Sequence, residues 1–176
     1  MDIKENYFEL FDIPVQFRVD QKELSSRYRE LQRAYHPDRF TQQSDQEQRL
    51  ALQYSSYVNE AYEVLASPVR RAEYLLKLHG IERDQSKTLS SDPQFLMQQM
   101  EWREALEGVR ENPQPETALE DLRRKALSEQ DGIEKTFISL MDQAAFQQAS
   151  INVDKMHFLD KLLREIEQLE DEFLDF

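Results

Sequence analysis

The 176-residue chain has no cysteine, three glycines and six prolines, and it contains no run of 18 apolar residues. Without cysteine the chain can form no disulfide, no cysteine nucleophile and no thiolate metal site. Three scattered glycines exclude a G-x-G-x-x-G motif and the other glycine-rich loops that bind phosphate. Without a long apolar run, no segment is expected to span a membrane. Sheet folds need many glycine-containing turns, so the composition favours an all-α protein with few, short connections.

Negative charge dominates the chain. Twenty-two Lys and Arg residues stand against 35 Asp and Glu residues, which gives a formal net charge of −13. Residues 1–75 carry −3 of this charge and residues 76–176 carry −10. Such a balance argues against general nucleic-acid binding, because contacts between cations and phosphates supply most of that affinity. The first residues lack the basic and then apolar pattern of a signal peptide, so we expect a soluble protein of a reducing compartment.

Helix start and stop signals divide the chain into helical segments. Asn6, Asp20 and Ser44 are good N-cap residues, and Glu23 and Glu47 stand at the capping-box position of the second and third helices. The predicted helices cover about 6–13, 20–36, 44–66, 68–79, 93–111, 117–141 and 142–173. We expect a helical N-terminal domain at 1–75, a linker at 76–83 and a three-helix bundle at 84–176.

The second predicted helix has an apolar face and a basic face. Four apolar side chains recur at helical spacing, at Leu24, Tyr28, Leu31 and Tyr35. The opposite face carries Lys22, Arg29, Arg33 and His36, with Arg27 on one flank. A positive stripe in an acidic chain suits an acidic protein partner, since such complementarity supplies specificity and association rate. A merely solvated helix face is the alternative, and the residues alone favour it slightly.

The loop after this helix helps to decide between a partner-binding face and a solvated face. The tripeptide His36-Pro37-Asp38 lies between the basic-faced helix and a helix that contains NEAYEVLASP. This arrangement resembles the J domain of DnaJ-type co-chaperones. The resemblance implies docking on a DnaK-type chaperone and stimulation of its ATPase. It implies these chaperone-binding residues: His36, Pro37, Asp38, Lys22, Arg27, Arg29 and Arg33.

The rest of the chain narrows the resemblance further. It lacks the Gly/Phe-rich linker and the CxxCxGxG repeats of general DnaJ proteins, and an acidic helical segment follows instead. The stretches AEYLLKLHG, FLM with EWREAL, and FLDKL resemble the HscB family, the J-domain co-chaperones of iron–sulfur cluster assembly. The resemblance covers essentially the whole chain. It implies two partners, the DnaK-type ATPase HscA and the cluster scaffold IscU. We expect no cofactor, and the charge and the lack of a long apolar run favour neither a nucleic-acid nor a membrane partner. The absence of a CxxC element before the J domain fits a bacterial, cytoplasmic member.

The helix that begins at Pro93 has two apolar faces. One face carries a plausible core stripe, formed by Phe95, Trp102, Leu106 and Val109. Leu96, Met97 and Met100 lie on another face, near Glu101 and Glu104. A helix of a small bundle needs only one apolar stripe, so the second face is either a binding patch or a contact with another helix. The residues alone leave these alternatives equal.

The resemblance to the HscB family favours the binding patch. It implies the scaffold-binding residues Leu96, Met97, Met100, Glu101, Glu104 and Phe158. Phe158 stands at the edge of the apolar stripe of the last helix, so its position alone favours the rim of the core. His79 and His157 stand in no recognisable constellation, and we predict no role for either.

Three other functions remain as alternatives. The first is a J-domain adaptor for a different client, with a second apolar face that is only structural. The second is a nucleic-acid module that uses the basic helix, which the net charge opposes. The third is a hydrolase or metal protein that uses His36 and Asp38. No nucleophile or further ligand accompanies these two residues, so we expect no enzyme activity.

Overall fold

The computed structural model describes residues 6–82 and 92–174, and all regular structure in these two stretches is helical. This confirms the all-α prediction. The chain divides into two compact units, Met1–Leu75 and Leu76–Phe176. The α-helices are α1 Tyr7–Leu10, α2 Gln21–Tyr35, α3 Asp45–Ala66, α4 Pro68–Leu78, α5 Pro93–Glu107, α6 Pro115–Asp142 and α7 Phe146–Leu174. Short 3₁₀ turns at Pro37–Phe40 and Gly108–Glu111 follow α2 and α5.

An antiparallel pair formed by α2 and α3 organises the first unit. Tyr28 of α2 stacks on Tyr62 of α3 with ring centroids 4.1 Å apart, and the Tyr28 hydroxyl donates to Asn59 at 3.1 Å. Nearer the connecting loop, Tyr35 packs on Tyr54. The core of this unit contains the buried side chains of Phe8, Phe11, Leu24, Val58, Ala61 and Leu65. The apolar face predicted for α2 therefore faces this core.

The predicted N-caps of the first unit are confirmed. Asn6 and Glu9 form a capping box at the start of α1, and Ser44 and Glu47 form one at the start of α3. The Asp20 carboxylate accepts from two backbone N–H groups in the first turn of α2. Each cap satisfies donors that the first turn of a helix otherwise leaves unpaired.

The first helix ends earlier than predicted, at Leu10 rather than residue 13. Asp12 adopts a left-handed conformation with φ 52°. The N–H groups of Asp12 and Ile13 then bond back to the carbonyls of Glu9 and Phe8. This is a Schellman-type C-cap, which stops the helix before Pro14 is reached.

In the second unit, α6 and α7 form an antiparallel hairpin, and α5 lies against α7. The α6 side of the core contains Leu119, Leu122, Ala126, Ile133 and Phe137. The α7 side contains Val153, Met156, Leu159, Leu162 and Ile166. The helices form the predicted three-helix bundle.

Ion pairs show that α5 runs parallel to α7. Arg103 of α5 pairs with Glu165 of α7. Arg110, in the 3₁₀ turn after α5, pairs with Glu172, so both partners lie seven residues further along the chain than in the first pair. Both pairs join residues 62 positions apart in sequence. A constant offset requires the two chain segments to run in the same direction. The start of α5 therefore lies beside the first half of α7.

Two predicted connections differ from the structure. Residues 76–78 fell both in the predicted helix 68–79 and in the predicted linker 76–83. They form the last turn of α4, and Leu76 is buried, so the helix prediction holds and the connection begins later than residue 76. The helix ends where Gly80 takes φ 74°, so that the Ile81 and Gly80 N–H groups bond to the Leu76 and Lys77 carbonyls. Residue 83 of that linker lies outside the described residues.

The junction of α6 and α7 was expected between residues 141 and 142, but α6 continues to Asp142 and α7 begins at Phe146. Between them, Ala144 has φ 54°, and the N–H of Ala145 bonds to the Leu140 carbonyl. Ala144 thus occupies a position that glycine normally takes in a helix C-cap.

We expect Ala144→Gly to raise the free energy of unfolding by about 0.5–1 kcal/mol. A Cβ atom in the left-handed region costs roughly 1–2 kcal/mol, and the greater freedom of glycine in the unfolded chain offsets part of the gain. Chemical denaturation measures the difference. Ala105→Gly, at an exposed position inside α5, should change stability by a similar amount in the opposite direction. Destabilisation by both changes would contradict the strained turn.

Candidate functional site

The loop after α2 presents two polar side chains to solvent. His36 ends the helix in an extended conformation, with φ −61° and ψ 130°, and Pro37 opens the 3₁₀ turn. The Asp38 backbone N–H donates to His36 Nδ1 at 3.4 Å. The Asp38 carboxylate lies 3.6 Å from the same nitrogen, which is too far for a hydrogen bond. The His36 side chain is 53% exposed.

Side chains that the sequence analysis did not single out fix this loop. Arg39 donates to the Arg33 carbonyl at 2.8 Å and so caps the C-terminal end of α2. Gln48 of α3 donates to the carbonyls of Gln43 at 3.0 Å and of Thr41 at 3.3 Å. A basic residue just beyond the end of a helix often bonds to its last carbonyls, so the role of Arg39 could have been predicted from the sequence. Gln48 had no such signal, because it acts across a turn of the chain.

The predicted basic face of α2 is exposed beside this loop. Lys22, Arg29 and Arg33 are all exposed, and they lie away from the buried Leu24. Arg27 differs from them, because its guanidinium lies 3.5 Å from Asp12 and 3.9 Å from Glu23. Part of the Arg27 charge is therefore offset within the protein.

A second surface lies on α5. Leu96, Met97 and Met100 are 38%, 65% and 64% exposed, whereas the neighbouring Phe95 is buried. Of the predicted core stripe, Phe95, Leu106 and Val109 are buried and Trp102 is half-buried, whereas the second apolar face is exposed. The exposure predicted for the triplet is confirmed.

A groove of about 780 Å³ runs between α5 and α7. Its lining consists of Leu96, Gln99, Met100, Arg103, Glu104, Glu107, Asp154, His157, Phe158 and Lys161. It brings together four of the six predicted scaffold-binding residues. The other two, Met97 and Glu101, are exposed on α5 but do not belong to the lining. Apolar side chains and charges of both signs therefore meet in one concave site.

Six of these lining residues were missed by the sequence analysis. They are Gln99, Arg103, Glu107, Asp154, His157 and Lys161. Each lies three or four residues from another lining residue of the same helix, so the spacing of a helix face could have found them. His157, for which no role was predicted, lies in this lining as well.

Phe158 belongs both to the groove and to the rim of the core. Its ring meets the ring of buried Phe95 edge to face, with centroids 5.7 Å apart and planes at 85°. The Arg103 guanidinium carbon lies 5.9 Å from its centroid. The two interpretations of this residue from sequence are thus compatible, because one edge packs inward while the ring lines the groove.

A polar contact fixes the start of α5 on α7. The Asp92 carboxylate accepts from the Phe95 N–H at 3.1 Å and lies 2.9 Å from Lys155 Nζ. The pKa of Asp92 is lowered, first by the hydrogen bond from Lys155 and next by the one from Phe95. Lys155 Nζ also lies 5.1 Å from the centroid of the Phe95 ring. These contacts hold the helix that carries the exposed triplet.

Within residues 6–82 and 92–174, no three His, Asp or Glu side chains are grouped so that they could hold a metal ion. No helix in the part of the chain that the structure describes is long and apolar enough to cross a membrane.

Comparisons with known proteins match both units. Residues 2–74 match the DnaJ domain family, and residues 91–167 match the family described as HSCB C-terminal oligomerisation domain. A "Co-chaperone protein HscB homolog" from Shewanella loihica is 43% identical over 169 residues, which covers 94% of this chain and 98% of that protein.

Solved structures of the same family have the same fold. Chaperone HscB from Vibrio cholerae superposes with a TM-score of 0.88 at 41% identity, covering 96% of this chain and 99% of that chain. The human co-chaperone protein HscB gives a TM-score of 0.86 at 34% identity, covering 97% of this chain and 84% of that chain. The chain belongs to the HscB family of J-domain co-chaperones of iron–sulfur cluster assembly.

Proposed function

We propose that this protein is an adaptor that binds an IscU-like scaffold protein and delivers it to an HscA-like, DnaK-type chaperone. In this proposal the α2 face and the His36-Pro37-Asp38 loop engage the chaperone and stimulate its ATPase. The exposed triplet of α5, together with Glu101, Glu104 and Phe158, binds the scaffold. The protein itself makes and breaks no covalent bond.

The observation that carries the proposal is the presence of two chemically different exposed surfaces on one chain. One is basic, beside an exposed histidine and aspartate on an anchored loop. The other is apolar, beside carboxylates and a groove. Simultaneous engagement of both would raise the effective concentration of the scaffold at the chaperone without any contact between those two partners.

Steady-state ATP hydrolysis by the cognate chaperone tests the proposal. We expect the protein alone to raise the rate, and the protein with the scaffold to raise it further. No stimulation by the folded protein would exclude the chaperone role. Stimulation without any binding of the scaffold in a calorimetric titration would instead favour an adaptor for a different client.

We expect the double change Arg29→Ala with Arg33→Ala to weaken chaperone binding about tenfold at low salt. Both side chains are exposed, so their loss should remove long-range attraction to an acidic partner and leave folding unchanged. Because the Debye length falls to about 8 Å at physiological ionic strength, added salt should weaken the wild-type complex in the same direction. Association rates over a salt series provide the measurement.

The matched control is Arg70→Ala, which removes an exposed arginine of α4 that pairs with Glu63. It should bind like the wild type. Binding that is indifferent to salt and to the double change would make the basic face an ordinary solvated surface.

A further inference from the structure

The ring of Phe158 makes two contacts, one with an aromatic ring and one with a cation. Buried Phe95 meets it edge to face, with ring centroids 5.7 Å apart. The guanidinium of Arg103 lies on it, with Cζ 5.9 Å from the ring centroid. A cation within about 6 Å of an aromatic centroid is attracted to the ring by its quadrupole. The two contacts together restrict where the ring can stand in the groove.

The position of Arg103 is in turn fixed by an ion pair with Glu165. Its guanidinium donates to the carboxylate of Glu165, which lies on α7 two turns beyond Phe158. Both side chains of this ion pair are partly shielded, at 38% and 30% exposed. Arg103 lines the groove, whereas Glu165 does not. A planar guanidinium fixed by a carboxylate is a better-defined support for a ring than a free lysine would be.

We propose that Arg103, anchored by Glu165, is a positioning residue that keeps the Phe158 ring in the conformation in which it meets the scaffold. The inference rests on the proposed function of the groove. In this inference, the Arg103–Glu165 ion pair between α5 and α7 affects scaffold affinity through the position of the Phe158 ring.

Scaffold titrations of the full-length protein in a double-mutant cycle test this role. Arg103→Gln and Glu165→Gln should each weaken binding about two- to fivefold, which matches the worth of an exposed cation–π contact. In a Phe158→Ala background, neither change should weaken binding further, because the ring through which they act is gone. Arg103→Lys keeps a cation but loses the fork, so it should fall between Arg103→Gln and the wild type.

Arg123→Gln is the matched control. Arg123 pairs with Glu170 across α6 and α7, so its change also removes an Arg–Glu pair between two helices of the same bundle. It does not line the groove. Its effect on the free energy of unfolding should resemble that of Arg103→Gln, yet scaffold affinity should stay at the wild-type value. In the free protein, the ring proton resonances of Phe158 should shift in the Arg103 and Glu165 variants and not in this control.

The possible failures are distinguishable. Weakening by Arg103→Gln that persists in the Phe158→Ala background would mean that Arg103 contacts the scaffold directly, and it would overturn the positioning role. Equal weakening by Arg123→Gln would reduce the role to general stability of the bundle and would also overturn it. If Phe158→Ala weakens binding but the Arg103 and Glu165 variants do not, this inference alone fails. If Phe158→Ala leaves scaffold binding unchanged, the proposed function of the groove fails together with it.

Discussion

His36→Gln is expected to remove all measurable stimulation of the chaperone ATPase while the protein stays folded. The His36 side chain is more than half exposed, and the contact that it accepts comes from the neighbouring Asp38 N–H. Substitutions of exposed side chains usually change stability by less than about 0.5 kcal/mol. The glutamine amide cannot reproduce the imidazole ring at the tip of the loop, so the chaperone would lose its contact with the ring. ATP turnover measures the loss of stimulation, and a thermal melt of the same sample shows whether the variant is still folded.

His79→Gln provides the control. His79 is also exposed, but it lies in the second unit, where its ring stacks on Phe146 with centroids 4.5 Å apart. This variant should stimulate the ATPase fully. Full stimulation by a folded His36→Gln protein would exclude a J-domain mechanism for the loop.

The second large effect concerns the exposed triplet of α5. Replacing Leu96, Met97 and Met100 together by Ala should weaken scaffold binding at least about thirtyfold, the range of two or more kcal/mol that hot-spot residues contribute. Folding should be little affected, because surface truncations cost within about 0.5 kcal/mol each. A triplet packed in the core would instead lose about 2–5 kcal/mol for each large-to-Ala change. A denaturation curve and a calorimetric titration of the scaffold separate these cases.

Exposed apolar residues elsewhere in the same unit supply the comparison. Leu127→Ala with Ile151→Ala removes side chains of α6 and α7 that are exposed and do not line the groove. This double variant should bind the scaffold normally. The triplet would not be the binding patch if its Ala variant melted early and yet, while folded, bound as tightly as the wild type. Stimulation of the chaperone in the absence of scaffold should be unchanged in both variants.

Much of the fold follows from short-range signals in the sequence. Asn6, Asp20 and Ser44 act as the caps that their residue types and spacing predict. The turn between α6 and α7 is the clearest exception. No glycine marks it, and Ala144 adopts a left-handed conformation. The turn consists of the three residues between Asp142 and Phe146, and short-range patterns in the sequence do not show how α6 and α7 pack on each other.

The exposed residues of the candidate site could be predicted from the sequence, but the side-chain contacts between its helices could not. The second apolar face of α5 was visible because Leu96, Met97 and Met100 fall outside the stripe that contains Phe95. The contacts of Arg103 with Phe158 and Glu165 were not visible, since they join helices about 60 residues apart in sequence. A single sequence carries the periodicity of each helix but not the register between two of them.

The two faces of α5 also constrain the length of this helix. Phe95 is buried and the next residue, Leu96, belongs to the exposed face. Each residue turns an α-helix by about 100°, so one residue inserted between Met100 and Glu104 would rotate everything beyond it out of line with Phe95. Leu106 would leave the core, and Glu104 would leave the groove. An insertion of seven residues would nearly restore both faces, whereas insertions in the segment 112–114 before α6 would disturb neither. Changes of length in this family should therefore accumulate outside α5.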